Sequence, residues 1–178
     1  MRYAKIERID AANGPGIRVS LFVQGCRKHC FMCFNPETWC FDGGELYTQK
    51  IEDTLIDWLA PNYIEGLSLL GGDPTEPENV EPLIPLMRRA KELYPQKTIW
   101  IYSGDTLENL EKRAKSGEEP FMQDMLDYCD VLVDGPFIQA QKNLKLRNRG
   151  SENQRVIDMN LSRNRKKGEK PTILKGWE

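Results

Sequence analysis

Residues 25–40 read G-C-R-K-H-C-F-M-C-F-N-P-E-T-W-C and follow directly on a run of β-branched and aromatic residues. Cys26, Cys30 and Cys33 have the spacing C-x3-C-x2-C, so one tight loop after a strand can bring their thiols toward one point. Thiolates are ligands for zinc and for iron–sulfur clusters. The stretch, called the cysteine loop below, therefore predicts a metal or cluster site at the end of a strand.

The number of cysteines separates two kinds of site. A cube of four irons takes four outside ligands, and ordinary electron carriers supply four cysteines. Three cysteines leave one iron open to a small molecule, like the vacancy of a catalytic zinc site. The alternative is a structural zinc site with Cys40 as fourth ligand, but such sites usually combine two separated pairs of ligands. We expect a three-cysteine cluster, with Cys40 outside it and Cys129 buried as an apolar residue.

Composition excludes several classes of protein. The chain has 178 residues, 39% of them hydrophobic and 29% charged, and its net charge is −2. This length predicts one domain, which we assign to residues 1–158. The balanced charge argues against a nucleic-acid partner, and the absence of a run of about 18 apolar residues argues against a membrane span. Five cysteines, three of them clustered, are typical of reduced thiols and favour the cytoplasm.

Apolar runs and helical patterns alternate along the chain. Strands are predicted at residues 18–24, 66–70, 98–102, 131–133 and 154–158. Helices are predicted at residues 48–59, 80–93 and 107–115. This alternation is typical of a parallel sheet with helical crossovers. Because about five such units are too few for a closed eight-stranded barrel, the predicted fold is α/β, an open partial (βα) barrel with a mainly parallel sheet.

Polar and glycine-rich turns follow the predicted strands. They read Gly25-Cys26, Gly71-Gly72-Asp73-Pro74, Ser103-Gly104 and Asp134-Gly135. Ligands of parallel α/β sheets bind beyond the carboxyl ends of the strands, so these turns predict one site at one edge. Each turn alone also has a plainer explanation, because a serine after a strand can cap a helix and Asp-Gly is a common turn pair.

Residues 159–178 form a basic segment with little apolar periodicity. Its cations are Arg163, Arg165, Lys166, Lys167 and Lys170. Because such a segment has no apolar stripe to bury, we expect it to be a flexible tail, with docking to a partner as the alternative.

Several motifs together resemble one enzyme family. The spacing C-x3-C-x2-C alone resembles the signature of the radical S-adenosylmethionine (SAM) superfamily. Phe34-Asn35, the Gly-Gly-Asp-Pro turn, V-L-V-D-G-P-F at residues 131–137 and R-G-S-E-N-Q at residues 149–154 extend the resemblance to the activating proteins of anaerobic (class III) ribonucleotide reductases. The resemblance covers most of the chain.

The resemblance implies cofactors and their binding residues. Cys26, Cys30 and Cys33 would hold one 4Fe-4S cluster whose open iron chelates the amino and carboxylate groups of SAM. Gly71 and Asp73 would receive the methionine ammonium group. The residues implied for the SAM site are Met32, Cys33, Phe34, Gly71, Gly72, Asp73, Ser103 and Asp134. Many radical SAM enzymes have an aromatic residue where Met32 stands, which leaves Met32 and Phe34 as alternatives for packing on adenine.

The resemblance also implies an activity and partners. Reductive cleavage of SAM would give methionine and a 5′-deoxyadenosyl radical, which would take a hydrogen atom from a glycine of the large subunit of the anaerobic reductase. A flavodoxin- or ferredoxin-like protein would donate the electron. One alternative is an activating enzyme for another glycyl radical enzyme, although such relatives often carry extra cysteine sets that this chain lacks. The other alternative is a non-catalytic iron–sulfur electron carrier or a zinc-stabilised binding module.

Overall fold

The computed structural model describes residues 1–166 and 168–178. Its strands are β1 (Arg2–Asp10), β2 (Ile17–Val23), β3 (Glu45–Leu46), β4 (Ile64–Gly71), β5 (Thr98–Tyr102), β6 (Val131–Asp134) and β7 (Arg155–Asp158). Its α-helices are α1 (Gln49–Leu59), α2 (Pro77–Leu93), α3 (Leu107–Ser116), α4 (Met122–Tyr128) and α5 (Met159–Ser162). The strands form a single mixed sheet, in the order β3-β1-β2-β4-β5-β6-β7.

The middle of the sheet is parallel. β2 pairs with β4, β4 with β5 and β5 with β6, all in the parallel sense. α1 connects the first of these pairs, α2 the second, and α3 with α4 the third. Parallel neighbours need such crossovers, so the predicted α/β class and parallel strands are confirmed here. Across the described ranges, no helix has both the length and the apolar character needed to cross a bilayer.

Both edges of the sheet differ from the parallel arrangement that we expected. β1 pairs antiparallel with β2 and β3, and β7 pairs antiparallel with β6. The fifth predicted strand therefore exists but runs in the opposite direction, because no α-helix separates it from β6. β1 was not predicted, since its sequence R-Y-A-K-I-E-R-I-D contains no apolar run.

The two faces of the sheet are covered differently. The larger hydrophobic cluster packs the inner sides of α1 to α4 on one face, around residues such as Leu21 and Leu69. A smaller cluster forms around Trp100, Val131 and Val133, which alternate with residues of the larger one and so lie on the other face. This second face is the one that opens toward the site.

Residues 171–178 lie against the second face and the β7 edge. The Leu174 N–H group donates to the Val156 carbonyl at 2.8 Å. The Trp177 ring packs edge-on against Trp100, with 5.9 Å between ring centroids. These contacts make the end of the chain part of the smaller cluster.

The flexibility predicted for residues 159–178 stays a prediction. The segment contains α5 as well as the residues packed against Trp100. Lys167, one of its predicted basic residues, lies outside the described residues.

Candidate functional site

The cysteine loop begins where β2 ends, at the carboxyl edge of the parallel strands. The Cys26 N–H group donates to the Trp39 carbonyl at 3.1 Å, which joins the two arms of the loop. His29 and Met32, which lie between the cysteines, have φ values of 45° and 58°. Non-glycine residues rarely adopt positive φ, so the backbone bends sharply at both positions. The chain therefore changes direction between Cys26 and Cys30 and again between Cys30 and Cys33.

A cavity of about 630 Å³ lies beside this loop, at the predicted edge of the sheet. All three clustered cysteines line it, and their thiols are free. The other predicted site residues on its wall are Phe34, Gly71, Gly72, Asp73 and Ser103. The structure thus brings together all but two of the residues predicted for the site.

The two exceptions are Met32 and Asp134, which are not among the residues lining the cavity. Met32 is 59% exposed. Asp134 is fully buried, and its carboxylate accepts a hydrogen bond from the Leu107 N–H group at 2.8 Å and from Arg155. The alternation of β6 explains this placement: Val133 lines the cavity, so the next side chain lies on the α3 side of the sheet.

The side chains that could bind a metal suit a cluster better than a single metal ion. In residues 1–166 and 168–178, no group of three or more His, Cys, Asp or Glu side chains is spaced to hold one metal ion. A cluster has several irons, and each iron takes its own ligand, so its cysteines need not converge as tightly as the ligands of one zinc ion. Three free thiols on the wall of one cavity fit the cluster. Cys40 is exposed and is not among the lining residues.

Among the three clustered cysteines, Cys26 has the thiol that is most affected by burial. Burial raises the pKa of Cys26 to about 11, against the opposing effect of the backbone N–H groups of Lys28 and His29. The nearby carboxylates of Asp73 and Glu76 also raise this pKa. The thiol is therefore protonated at neutral pH, and metal binding at this position releases a proton.

The Gly71-Gly72 turn after β4 packs directly on the strand that carries the cysteine loop. Gly71 has a φ of 101°, and a Cβ atom there would lie 2.9 Å from the backbone of Phe22. A Cβ atom on Gly72 would lie 2.5 Å from the Gly25 carbonyl oxygen. Glycine is required at both positions because the two backbones approach each other closely.

Asp73 joins this turn to the turn after β5. Its Oδ1 atom accepts from the Thr75 N–H group at 2.9 Å and the Thr75 hydroxyl at 2.6 Å, and its Oδ2 atom accepts from the Gly104 N–H group at 2.9 Å. The Ser103 hydroxyl lies 2.7 Å from the Thr75 hydroxyl. Burial raises the pKa of Asp73, while the hydrogen bonds from Thr75 and Gly104 act in the opposite direction. The carboxylate thus holds two walls of the cavity together.

Among the parts of the wall that were not predicted are β1, Tyr102 and a segment near β7. β1 contributes Lys5, Glu7 and Asp10. Tyr102 contributes a buried hydroxyl that has no hydrogen-bond partner in the described part of the chain. The third part is the strap, defined as residues 142–149, most of which line the cavity. Tyr102 could have been found from strand alternation, whereas neither β1 nor the strap has an apolar pattern that reveals its position.

The strap crosses the open face of the sheet. Lys142 forms an antiparallel bridge with Ser151 near β7. At the far end, the Asn148 side-chain amide donates to the Ala12 carbonyl at 3.0 Å, beside the β1–β2 connection. The strap therefore bounds the cavity on the side opposite the helices.

Comparison with known proteins gives consistent matches. A family model described as a 4Fe-4S single cluster domain matches residues 12–157. The anaerobic ribonucleoside-triphosphate reductase-activating protein of Vibrio cholerae is 44% identical over 156 residues, covering 86% of this chain and 96% of the relative. The proteins of the same name from Haemophilus influenzae and Enterobacteria phage T4 are 41% and 39% identical, covering 86% and 88% of this chain and 96% and 93% of the relatives.

Proposed function

Because this chain belongs to the family of anaerobic ribonucleoside-triphosphate reductase-activating proteins, we propose that it is a radical SAM enzyme that generates a glycyl radical on the large subunit of the anaerobic reductase. The observation that carries the proposal is the shared cavity. Cys26, Cys30 and Cys33 line the same cavity as the Gly-Gly-Asp turn. An open partial (βα) barrel is part of the proposal, supported by the parallel middle strands and the open second face of the sheet.

The proposed cofactors are one 4Fe-4S cluster and SAM. Cys26, Cys30 and Cys33 would hold the cluster, which leaves one iron for the amino and carboxylate groups of SAM and supplies the electron for its reductive cleavage. The description of the matching family model supports the cluster. The free thiols support it independently, because thiolates are the usual ligands of such clusters.

The remaining residues would bind and orient SAM. Phe34 is held against Phe137, with ring centroids 5.0 Å apart, and a Cβ atom on Gly150 would lie 2.7 Å from the Phe34 ring. A ring held in this way on the cavity wall suits adenine better than Met32, which does not line the cavity. Gly71 and Asp73 would face the methionine ammonium group, with Ser103 beside them in the hydrogen-bonded network.

The proposed macromolecular partners are the large subunit of the reductase and a flavodoxin- or ferredoxin-like electron donor. The names of the relatives support the first. An enzyme that acts on a glycine inside another protein needs a cavity that a polypeptide can reach. The cavity on the open face of the sheet meets this requirement.

The test is an anaerobic assay of the purified chain. After reconstitution with iron and sulfide and reduction with dithionite, the protein should convert SAM to 5′-deoxyadenosine and methionine without any partner. Cys26→Ala should abolish this conversion, and iron and acid-labile sulfide should be quantified in parallel. Addition of the reductase large subunit should then produce a glycyl radical signal in electron paramagnetic resonance spectra.

Two results would contradict the proposal. A protein that holds zinc without sulfide would be a zinc-stabilised module. A reconstituted cluster that never cleaves SAM would identify an electron carrier.

A further inference from the structure

We propose that the strap, together with the exposed apolar residues of the cysteine loop, is the docking surface for an acidic segment of the reductase large subunit. The inference rests on the proposed function, since it concerns the protein that the enzyme would act on. It goes beyond that function by assigning the surface and the charge of the segment that binds there.

The strap concentrates positive charge. Its sequence, K-N-L-K-L-R-N-R, contains four cations and no carboxylate, in a chain whose net charge is −2. Lys142, Lys145 and Arg147 are exposed. Charge of one sign beside a cavity attracts and orients a partner of the opposite sign.

None of the strap cations is neutralised within the described residues. Ion pairs occur throughout the rest of the chain, but none includes Lys142, Lys145, Arg147 or Arg149. Arg149 instead donates to the Gln154 carbonyl at 3.1 Å and to the main-chain oxygen of Glu178 at 3.3 Å. The neighbouring Glu152 carboxylate accepts from Asn143. The positive charge of the strap is therefore available to a partner.

Apolar side chains lie next to this charge. Leu144 of the strap is 80% exposed, and Phe34 of the cysteine loop, which is 55% exposed, lines the same cavity. The Lys142 ammonium group lies 5.3 Å from the centroid of the Phe34 ring, so the strap and the cysteine loop meet there. Exposed apolar residues that are adjacent to one another mark interaction surfaces.

The strap is held in place before any partner binds. Asn148 donates to the Ala12 carbonyl and accepts from the Trp177 indole N–H group at 3.1 Å. The Arg147 guanidinium lies 4.4 Å from the centroid of the Trp177 ring. A surface fixed in this way loses little conformational entropy on binding, which favours affinity.

The position of the strap links docking to chemistry. Leu144, Leu146, Asn148 and Arg149 line the same cavity as the three clustered cysteines. A polypeptide held on the outer side of the strap would therefore have its neighbouring residues at the cavity. The segment that supplies the carboxylates would be close in sequence or in space to the activated glycine.

The test compares two charge-reversed double variants. K145E/R147E changes the strap, and K50E/R88E makes the same change at exposed positions of α1 and α2 that do not line the cavity. Binding to the purified reductase large subunit is titrated anaerobically at low and high salt. SAM cleavage without the reductase and the glycyl radical yield are measured on the same preparations, with K145R/R147K as the variant that keeps the charge.

We expect K145E/R147E to raise the dissociation constant for the reductase about tenfold at low salt, with a smaller difference at high salt. Partner-free SAM cleavage should be unchanged, and K50E/R88E and K145R/R147K should bind like the wild type. A hexaglutamate peptide should compete with the reductase for the wild type at low salt.

Three results would overturn the inference: unchanged binding by K145E/R147E, equal weakening by K50E/R88E, or weakening that salt does not alter. Failure of the proposed function has a different signature, because the wild type would then not cleave SAM at all. The binding titration does not require turnover, so it remains decisive in that case.

Discussion

Replacing Cys26 with alanine should remove the cluster, whereas replacing Cys40 should not. Cys26 lines the cavity and Cys40 does not. Iron and acid-labile sulfide after reconstitution should fall to background in Cys26→Ala and stay at the wild-type level in Cys40→Ala. Both variants should remain folded, because neither cysteine belongs to a hydrophobic cluster. Loss of iron from Cys40→Ala would make Cys40 a fourth ligand and would favour the electron carrier.

Asp73→Ala should weaken SAM binding and leave the iron content unchanged. The carboxylate joins the turns after β4 and β5, and its removal leaves the N–H groups of Thr75 and Gly104 without a partner. The expected cost in unfolding free energy is about 1–3 kcal/mol. Calorimetric titration of SAM into the reconstituted protein measures the affinity, with Asp57→Ala on the exposed side of α1 as control. Unchanged affinity would remove Asp73 from the SAM site.

The Asp10 carboxylate should make folding stability depend on pH. Burial raises the pKa of Asp10, but hydrogen bonds from Ser20, Asn13 and the Ala12 N–H group outweigh burial, and the net pKa is lowered from 3.8. A carboxyl group with a lower pKa in the folded state stabilises that state fully at pH values above its unfolded pKa. This stabilisation is lost as the pH falls through the folded pKa.

The measurement is urea unfolding of the wild type and Asp10→Asn at pH 7 and pH 3. The difference in unfolding free energy should be roughly 1 kcal/mol at pH 7 and smaller at pH 3. A difference that stays constant with pH would show that the charge of Asp10 does not contribute.

Sequence alone could locate the clustered cysteines and the Gly-Gly-Asp turn, because residues that follow parallel strands gather at one edge. Strand alternation could have placed the Asp134 side chain on the other face, but its contacts with α3 and Arg155 depend on tertiary packing. The close approach of Gly72 to Gly25 also depends on tertiary packing, so the sequence reveals the glycine but not the reason for it.

Among the helices, α2 contains two internal prolines, Pro82 and Pro85. Proline lacks an N–H group and clashes with the preceding turn, at a cost of about 3 kcal/mol in a helix interior. Pro85→Ala should therefore raise the unfolding free energy, by about 1 kcal/mol after the greater freedom of the unfolded chain is included. Urea unfolding checks this, with Pro77→Ala as control, since proline is well tolerated at the first helical position. Destabilisation by Pro85→Ala would show that the ring is needed for packing.

The strands differ in how well their sequences predict them. β2, β4, β5 and β6 are largely buried on both faces and rich in apolar residues, so all four were predicted. β1 is rich in charged residues and half-exposed, and its pairing with β2 depends on tertiary contacts. The direction of β7 follows from the length and path of the strap, which local sequence patterns do not encode.

In the whole molecule, Trp177 connects the end of the chain to the sheet and to the strap. Its ring packs on Trp100, and its indole N–H group donates to Asn148. Trp177→Ala should lower the unfolding free energy by about 2 kcal/mol, because a half-buried aromatic ring loses its contacts. Urea unfolding measures the effect, and Lys175→Ala at an exposed neighbouring position should be close to neutral. Equal stability of Trp177→Ala and the wild type would show that the terminal residues contribute little to folding.

The α/β class of the whole molecule could be predicted because strands and helices alternate, but the identity of the uncovered face could not. That face depends on the strap and on residues 171–178, which have little periodicity of their own. Their places are set by single contacts such as the Asn148 amide on the Ala12 carbonyl.

The two edges of the sheet also bear on how the protein behaves at high concentration. Unpaired strand edges recruit strands from other molecules and so start aggregation. At one edge, β3 pairs with only the first residues of β1, and the rest of β1 carries Lys5, Glu7 and Arg8, whose charges oppose intermolecular pairing. At the other edge, the Leu174 N–H group occupies the Val156 carbonyl. Residues 171–178 thus cover the β7 edge, and a chain that lacks them would expose this edge to self-association.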